Sequence, residues 1–151
     1  MKFLVATILG AFAMTSPANA QTRPAVEHYP SPPITGGAAP FSSAVRVGDV
    51  LYLSGAIGRG PDGKPPEGIE AQTKATLDDI GATLKRAGLT HADLFHCTAF
   101  LSDMKNWPAF NKVYVTYFPD GRLPARSAFG VNGLALGALL ELECQAYAGP
   151  R

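Results

Sequence analysis

Charge of either sign is scarce in this chain. Lys and Arg number 13 and Asp and Glu 12, together 17% of the residues, for a formal net charge of +1. Such a balance leaves no basic excess to neutralise a phosphate backbone, so no nucleic-acid partner is expected. Histidine is scarcer still: His28, His91 and His96 are scattered and lack metal-ligand spacing. No serine sits in a G-x-S-x-G elbow, and there is no phosphate loop or dinucleotide fingerprint. Beyond residue 14 no apolar run is long enough to span a bilayer.

What is present begins with a secretory pattern. Lys2 is a short positive region, Phe3 to Met14 an apolar run, and Ala18-Asn19-Ala20 an A-x-A cleavage site. Residues 1–20 are therefore expected to be a signal peptide, cut before Gln21. Cleavage removes only Lys2, lowering Lys plus Arg from 13 to 12 against 12 acidic residues. The product is expected to be exported, periplasmic, and free of membrane after cleavage. An exported chain can keep disulfides, and its two cysteines, Cys97 and Cys144, allow one. Adjacent strands rarely offer good disulfide geometry, which favours two buried free thiols.

The rest divides into short elements. Residues 21–39 are rich in Pro, Ser, Thr and Gly and read as an extended lead-in. Residues 43–47 and 50–54 flank Gly48-Asp49 as a hairpin. Ile69, Thr73, Leu77, Ile80 and Leu84 mark one face of a helix over residues 69–87. Gly88 and Leu89 follow it as a C-terminal cap, and Thr90 and Asp93 have capping-box spacing. Residues 94–101 predict a strand. A second helix is expected from about 107 to 118, with Pro108 in its first turn. Strands over 124–131 and 139–147 complete the order β-β-α-β-α-β-β: one α+β domain over residues 40–149, its sheet covered by two helices.

Two features stand out chemically. Arg126 interrupts "PARSAFGV", where a guanidinium is out of place unless something anionic meets it. In the last strand Glu141, Glu143, Gln145 and Tyr147 share one face and Leu140, Leu142, Cys144 and Ala146 the other. The glutamates fit a solvated outer face. With Arg126 nearby they also fit an ion pair, or a site in which Arg grips an anion and Glu handles a water. Spacing does not decide among these. Trp107, Phe110 and Tyr114 read as core or subunit contact rather than a base-stacking platform.

The blocks "SAVRVGDVLYLSGAIG", "GIEAQTKATLDDIGATLKRAGLT", "TAFLSDMKNWPAFNKVYVTYFPDGRLPARSAFGV" and "GALLELECQA" resemble successive parts of the Rid family, also called the YjgF or L-PSP family. The resemblance runs from about Pro40 to Ala148. It implies a chorismate mutase-like (YjgF-type) fold and a homotrimer with inter-subunit clefts. It also implies hydrolysis of 2-imino acids and enamines to 2-oxo acids and ammonia, with no metal or cofactor. Arg126 then binds the substrate carboxylate, helped by the backbone N–H of Ala128. Glu141 positions the attacking water. Phe41, Ser54, Gly55 and Asn111 complete the expected substrate-binding set, Asn111 in a more structural role. Phe41 and Ala56 stand where the family pattern has Tyr and Gln, which points to a drier or reshaped pocket. The alternatives are a non-catalytic module holding small carboxylates, a holdase, and a ribonuclease; the last is disfavoured by the neutral charge.

Overall fold

The computed structural model describes residues 23–33 and 37–150. The expected signal peptide lies outside these. Six strands form one sheet: β1 (Val26–Pro30), β2 (Ser42–Val47), β3 (Val50–Leu53), β4 (Leu94–Leu101), β5 (Ala125–Gly130) and β6 (Leu140–Tyr147). The helices are α1 (Ile69–Arg86) and α2 (Trp107–Tyr114), the latter continued by one 3-10 turn over Val115–Tyr117. The order across the sheet is β1-β2-β3-β6-β4-β5. Only β4 and β5 run parallel, because α2 carries the chain back between them. This is the α+β arrangement expected.

One strand was not expected. Val26–Pro30, assigned from composition to a lead-in outside the domain, pairs antiparallel with β2. Tyr29 packs against the core from it. A five-residue strand flanked by prolines carries too short an alternation to be read locally, and Pro30 is tolerated because it ends an edge strand.

The alternation of β6 divides the molecule into two faces. Leu140, Leu142, Cys144 and Ala146 are buried against α1 and α2, together with Cys97, Ala99 and Leu101 of β4. All five residues of the α1 stripe are buried as the periodicity requires. Gly88, at φ +73°, ends α1: its N–H bonds Lys85 O at 3.0 Å and that of Leu89 bonds Leu84 O at 2.9 Å. Only glycine enters that left-handed position without cost. The capping box follows, with Thr90 N donating to Asp93 Oδ2 at 2.8 Å. Among the described residues the other sheet face has no helix over it, and it exposes Tyr52, Phe129 and Tyr147.

The two cysteines correct the sequence reading. Cys97 and Cys144 form a disulfide rather than two free thiols. They are direct partners in the β4–β6 register, and their Cα atoms lie 4.1 Å apart. The antiparallel ladder alternates wide and narrow pairs, and this pair is narrow. Register of this kind is invisible to local sequence, which is why the pairing was missed.

Candidate functional site

The expected site residues fall into two clusters on opposite faces of the sheet. Arg126 is the register partner of Cys97 and so points toward the helices. Glu141 is the register partner of Phe100, three residues on in β4, and so points to the uncovered face. Strand β4 lies between them. Within one chain, therefore, Arg126 and Glu141 do not meet, and the ion pair that the sequence left open between them is not formed there.

Arg126 is instead boxed by α2. Its guanidinium carbon lies 5.1 Å from the centroid of Trp107, 4.8 Å from Phe110 and 4.4 Å from Tyr114. Three ring faces attract the cation and exclude water from it. Nη2 donates to Asn111 Oδ1 at 2.5 Å. Nη1 is buried and has no hydrogen-bond partner among the described residues. The Tyr114 hydroxyl is also unpaired: it lies near enough to feel the charge, but it makes no hydrogen bond of acceptable geometry. Burial pulls the Arg126 guanidinium below its ordinary value, and Tyr114 acts in the opposite sense. An arginine remains charged regardless, so a desolvated guanidinium with Nη1 unmet is poised for an anion. Ala128 lies two residues on, on the same face and against the core. Val131 N donates to Leu101 O at 2.9 Å. By strand alternation the N–H of Ala128 then faces the open edge of β5.

The second cluster surrounds a cavity of about 650 Å³. Phe41, Ser54, Gly55 and Glu141 line it together. Ser54 N donates to Ser43 O at 2.9 Å and its hydroxyl to Ser42 O at 2.7 Å, which orients its lone pairs elsewhere. Gly55 is required by closeness: a Cβ there would collide with Glu141 Oε1 and lie 3.0 Å from its Cδ. Ala56 bridges to Leu142 with two backbone bonds of 3.0 Å, holding the Ser54–Ala56 turn against the start of β6.

Sequence reasoning missed Gln72, which positions that start. It is buried in α1, accepts from Leu139 N at 2.7 Å and donates to Pro66 O at 2.9 Å. A glutamine on the predicted core face was the available signal. The aromatic box around Arg126 was half legible, as an apolar stripe whose partner was not foreseen.

With this geometry in hand, comparison with known proteins defines the class. A family model described as Endoribonuclease L-PSP matches residues 34–148. The 2-iminobutanoate/2-iminopropanoate deaminase of Mus musculus is 37% identical over 113 residues, covering 74% of this chain and 83% of that protein. The Reactive Intermediate Deaminase A of Arabidopsis thaliana chloroplasts is 36% identical over 107 residues, 70% of this chain and 57% of that protein. Among solved structures, a Rid-family protein of unknown function from Yersinia pestis is 34% identical with a TM-score of 0.74, covering 82% of this chain and 99% of that one. E. coli TdcF, solved with bound serine, is 26% identical with a TM-score of 0.71, covering 80% and 98%. The chain belongs to the Rid (YjgF, L-PSP) family, and its similarity to deaminase-named relatives supports imine deamination at family level.

Proposed function

We propose that the protein is an exported hydrolase converting 2-imino acids and their enamine tautomers to 2-oxo acids and ammonia. The observation that carries this reading is Arg126, desolvated, boxed by three rings and left with Nη1 unpaired. Its fork takes the substrate carboxylate by paired charge-assisted bonds, with the Ala128 N–H adding a third. Glu141 accepts a proton from a water as the water oxygen attacks the imine carbon. Glu141 returns that proton to nitrogen, giving the carbinolamine; the carbinolamine hydroxyl proton then passes to the same nitrogen, by way of the Glu141 carboxylate, as the C–N bond breaks, so that ammonia leaves and the carbonyl forms. Imines already hydrolyse in water, so orientation and one activated water suffice and no cofactor is invoked. Ser54 and Phe41 flank the reacting centre.

Because Arg126 and Glu141 face opposite ways, this mechanism needs two copies of the chain. We propose a homotrimer in which the uncovered sheet face packs inward and each cleft joins Arg126 of one copy to Glu141 of the next. The exposed Tyr52, Phe129 and Tyr147 support that reading. The buried Cys97–Cys144 bridge supports export to an oxidising compartment, in keeping with the leader-like residues 1–20.

The test generates imino acids with an amino-acid oxidase, with catalase present, and traps them with semicarbazide. Wild type is expected to suppress the trapped adduct and Arg126→Ala to leave it. A wild type indistinguishable from a no-protein control across a broad panel would overturn the reading. It would favour a non-catalytic carboxylate-binding module, the reading that Phe41 and Ala56, both lining the cavity, support.

A further inference from the structure

The cavity that holds Glu141 is much larger than a short imino acid. At about 650 Å³ it lies in the range of pockets that enclose drug-sized ligands. Besides Glu141 and Gly55 it is lined by Ile57, Ile80 and a charged end formed by Arg59, Asp79 and Arg86.

That charged end is not a closed ion-pair network. The ion pairs among the described residues are Lys74–Asp78, Lys112–Glu70 and Arg122–Asp120, and none involves these three. Arg86 is steadied by β1, its Nη2 donating to Pro30 O at 2.7 Å, a neutral acceptor that leaves its charge uncompensated. Among the described residues Arg59 makes no ion pair and meets Asp79 only at longer range. Asp79 feels both arginines at longer range, yet partial burial outweighs them and raises its carboxyl above the ordinary value. Two cations against one anion leave this end net positive.

The rim is also unusual. Leu136 lines the cavity 64% exposed. It sits at φ 59°, ψ 14°, a left-handed conformation that costs a non-glycine residue about 1 kcal/mol. Held exposed at such cost, its apolar side chain offers a ligand in the cavity a surface to pack on.

We propose that this cavity is the side-chain pocket of the enzyme and selects 2-imino acids whose long chain ends in a second carboxylate, with Arg59 and Arg86 determining that specificity. The inference rests on the deaminase reading for its reaction. The α-carboxylate goes to Arg126 of the neighbouring copy, the chain lies along Ile57, Ile80 and Leu136, and the distal carboxylate meets the two arginines. The reaction at C2 is unchanged.

The experiment compares imines made in situ from alanine, norleucine and 2-aminoadipate by oxidases of matching specificity. Norleucine and 2-aminoadipate separate chain length from end charge. The expected order of kcat/KM is aminoadipate, norleucine, alanine, with the end charge worth about tenfold. In Arg59→Ala and in Arg86→Ala the aminoadipate-to-norleucine ratio falls toward one. A wild type that prefers the alanine imine, or a ratio unmoved by both variants, overturns the inference and leaves the deaminase intact. Calorimetry with 2-oxoadipate reads the pocket without turnover. If no imine is turned over, binding that weakens about tenfold in Arg59→Ala sustains the pocket while the deaminase reading falls. Binding that is absent, or indifferent to Arg59, overturns the pocket as well.

Discussion

Gly55 and Glu141 are in contact at a distance that leaves no room for a Cβ on residue 55. The obstructing atoms belong to the end of the Glu141 side chain rather than to backbone. Gly55→Ala is therefore expected to displace the Glu141 carboxylate while costing at most about 1 kcal/mol of stability, because a flexible side chain gives way cheaply. Turnover should fall about 100-fold, as in Glu141→Gln, since a base moved by an ångström no longer serves the water. Activity and thermal unfolding of the two variants check this; equal activity of Gly55→Ala and wild type would refute it.

Arg126 carries a stability cost for its function. Its Nη1 is buried and unpaired. Arg126→Met keeps an apolar chain between Trp107, Phe110 and Tyr114 and removes the unmet charge, so Tm should hold or rise by a few degrees. Binding of 2-oxo acids should be lost. Arg126→Lys keeps a charge without the fork, and its KM should rise at least about tenfold. Calorimetric unfolding and product titration separate the two effects.

Subunit complementation tests the two-copy site. Arg126→Ala and Glu141→Gln should each be inactive alone. Dissociated and reassembled together at equal amounts, random C₃ trimers place an intact Arg126 beside an intact Glu141 in about one quarter of clefts. Activity should recover to about a quarter of wild type. No recovery in verified mixed trimers would overturn the site shared between two copies.

Removing the disulfide should destabilise without touching the chemistry. It closes a span of 47 residues, for which the chain-entropy estimate is about 4 kcal/mol, and loss of a native disulfide typically costs about 2–5 kcal/mol. Cys97→Ala/Cys144→Ala should therefore lower Tm by about 5–15 °C. Thiol titration of the denatured, unreduced wild type should find no free cysteine among the two.

Asp79 supplies a pH signature. Burial raises its carboxyl despite Arg59 and Arg86, so the folded state favours the neutral form. Above the carboxylate range that is a penalty on folding, and it vanishes below the unfolded value. Asp79→Asn should thus be slightly more stable than wild type at pH 7, and the difference should close as pH falls through 4. The effect is small because the residue stays solvent-accessible. Urea unfolding at both pH values reads it.

Local chemistry was legible wherever a period or a cap carried it. The α1 stripe, the Gly88 cap, the Thr90–Asp93 box and the two-faced β6 are patterns among neighbours in the chain, and they sit where the residues dictate. The motifs around Ser54, Arg126 and Glu141 were legible for the same reason, and with them the family. Everything that depended on pairing across strands was decided by the tertiary structure. The register of β4 with β6 made Cys97 and Cys144 partners. The registers of β5 and β6 on β4 sent Arg126 and Glu141 to opposite faces. Long-range packing brought Gly55 against Glu141 and closed one cavity around Arg59, Asp79 and Arg86. A period of two says which side chains share a strand face; only the fold says what stands opposite them, because one step of register reverses every face.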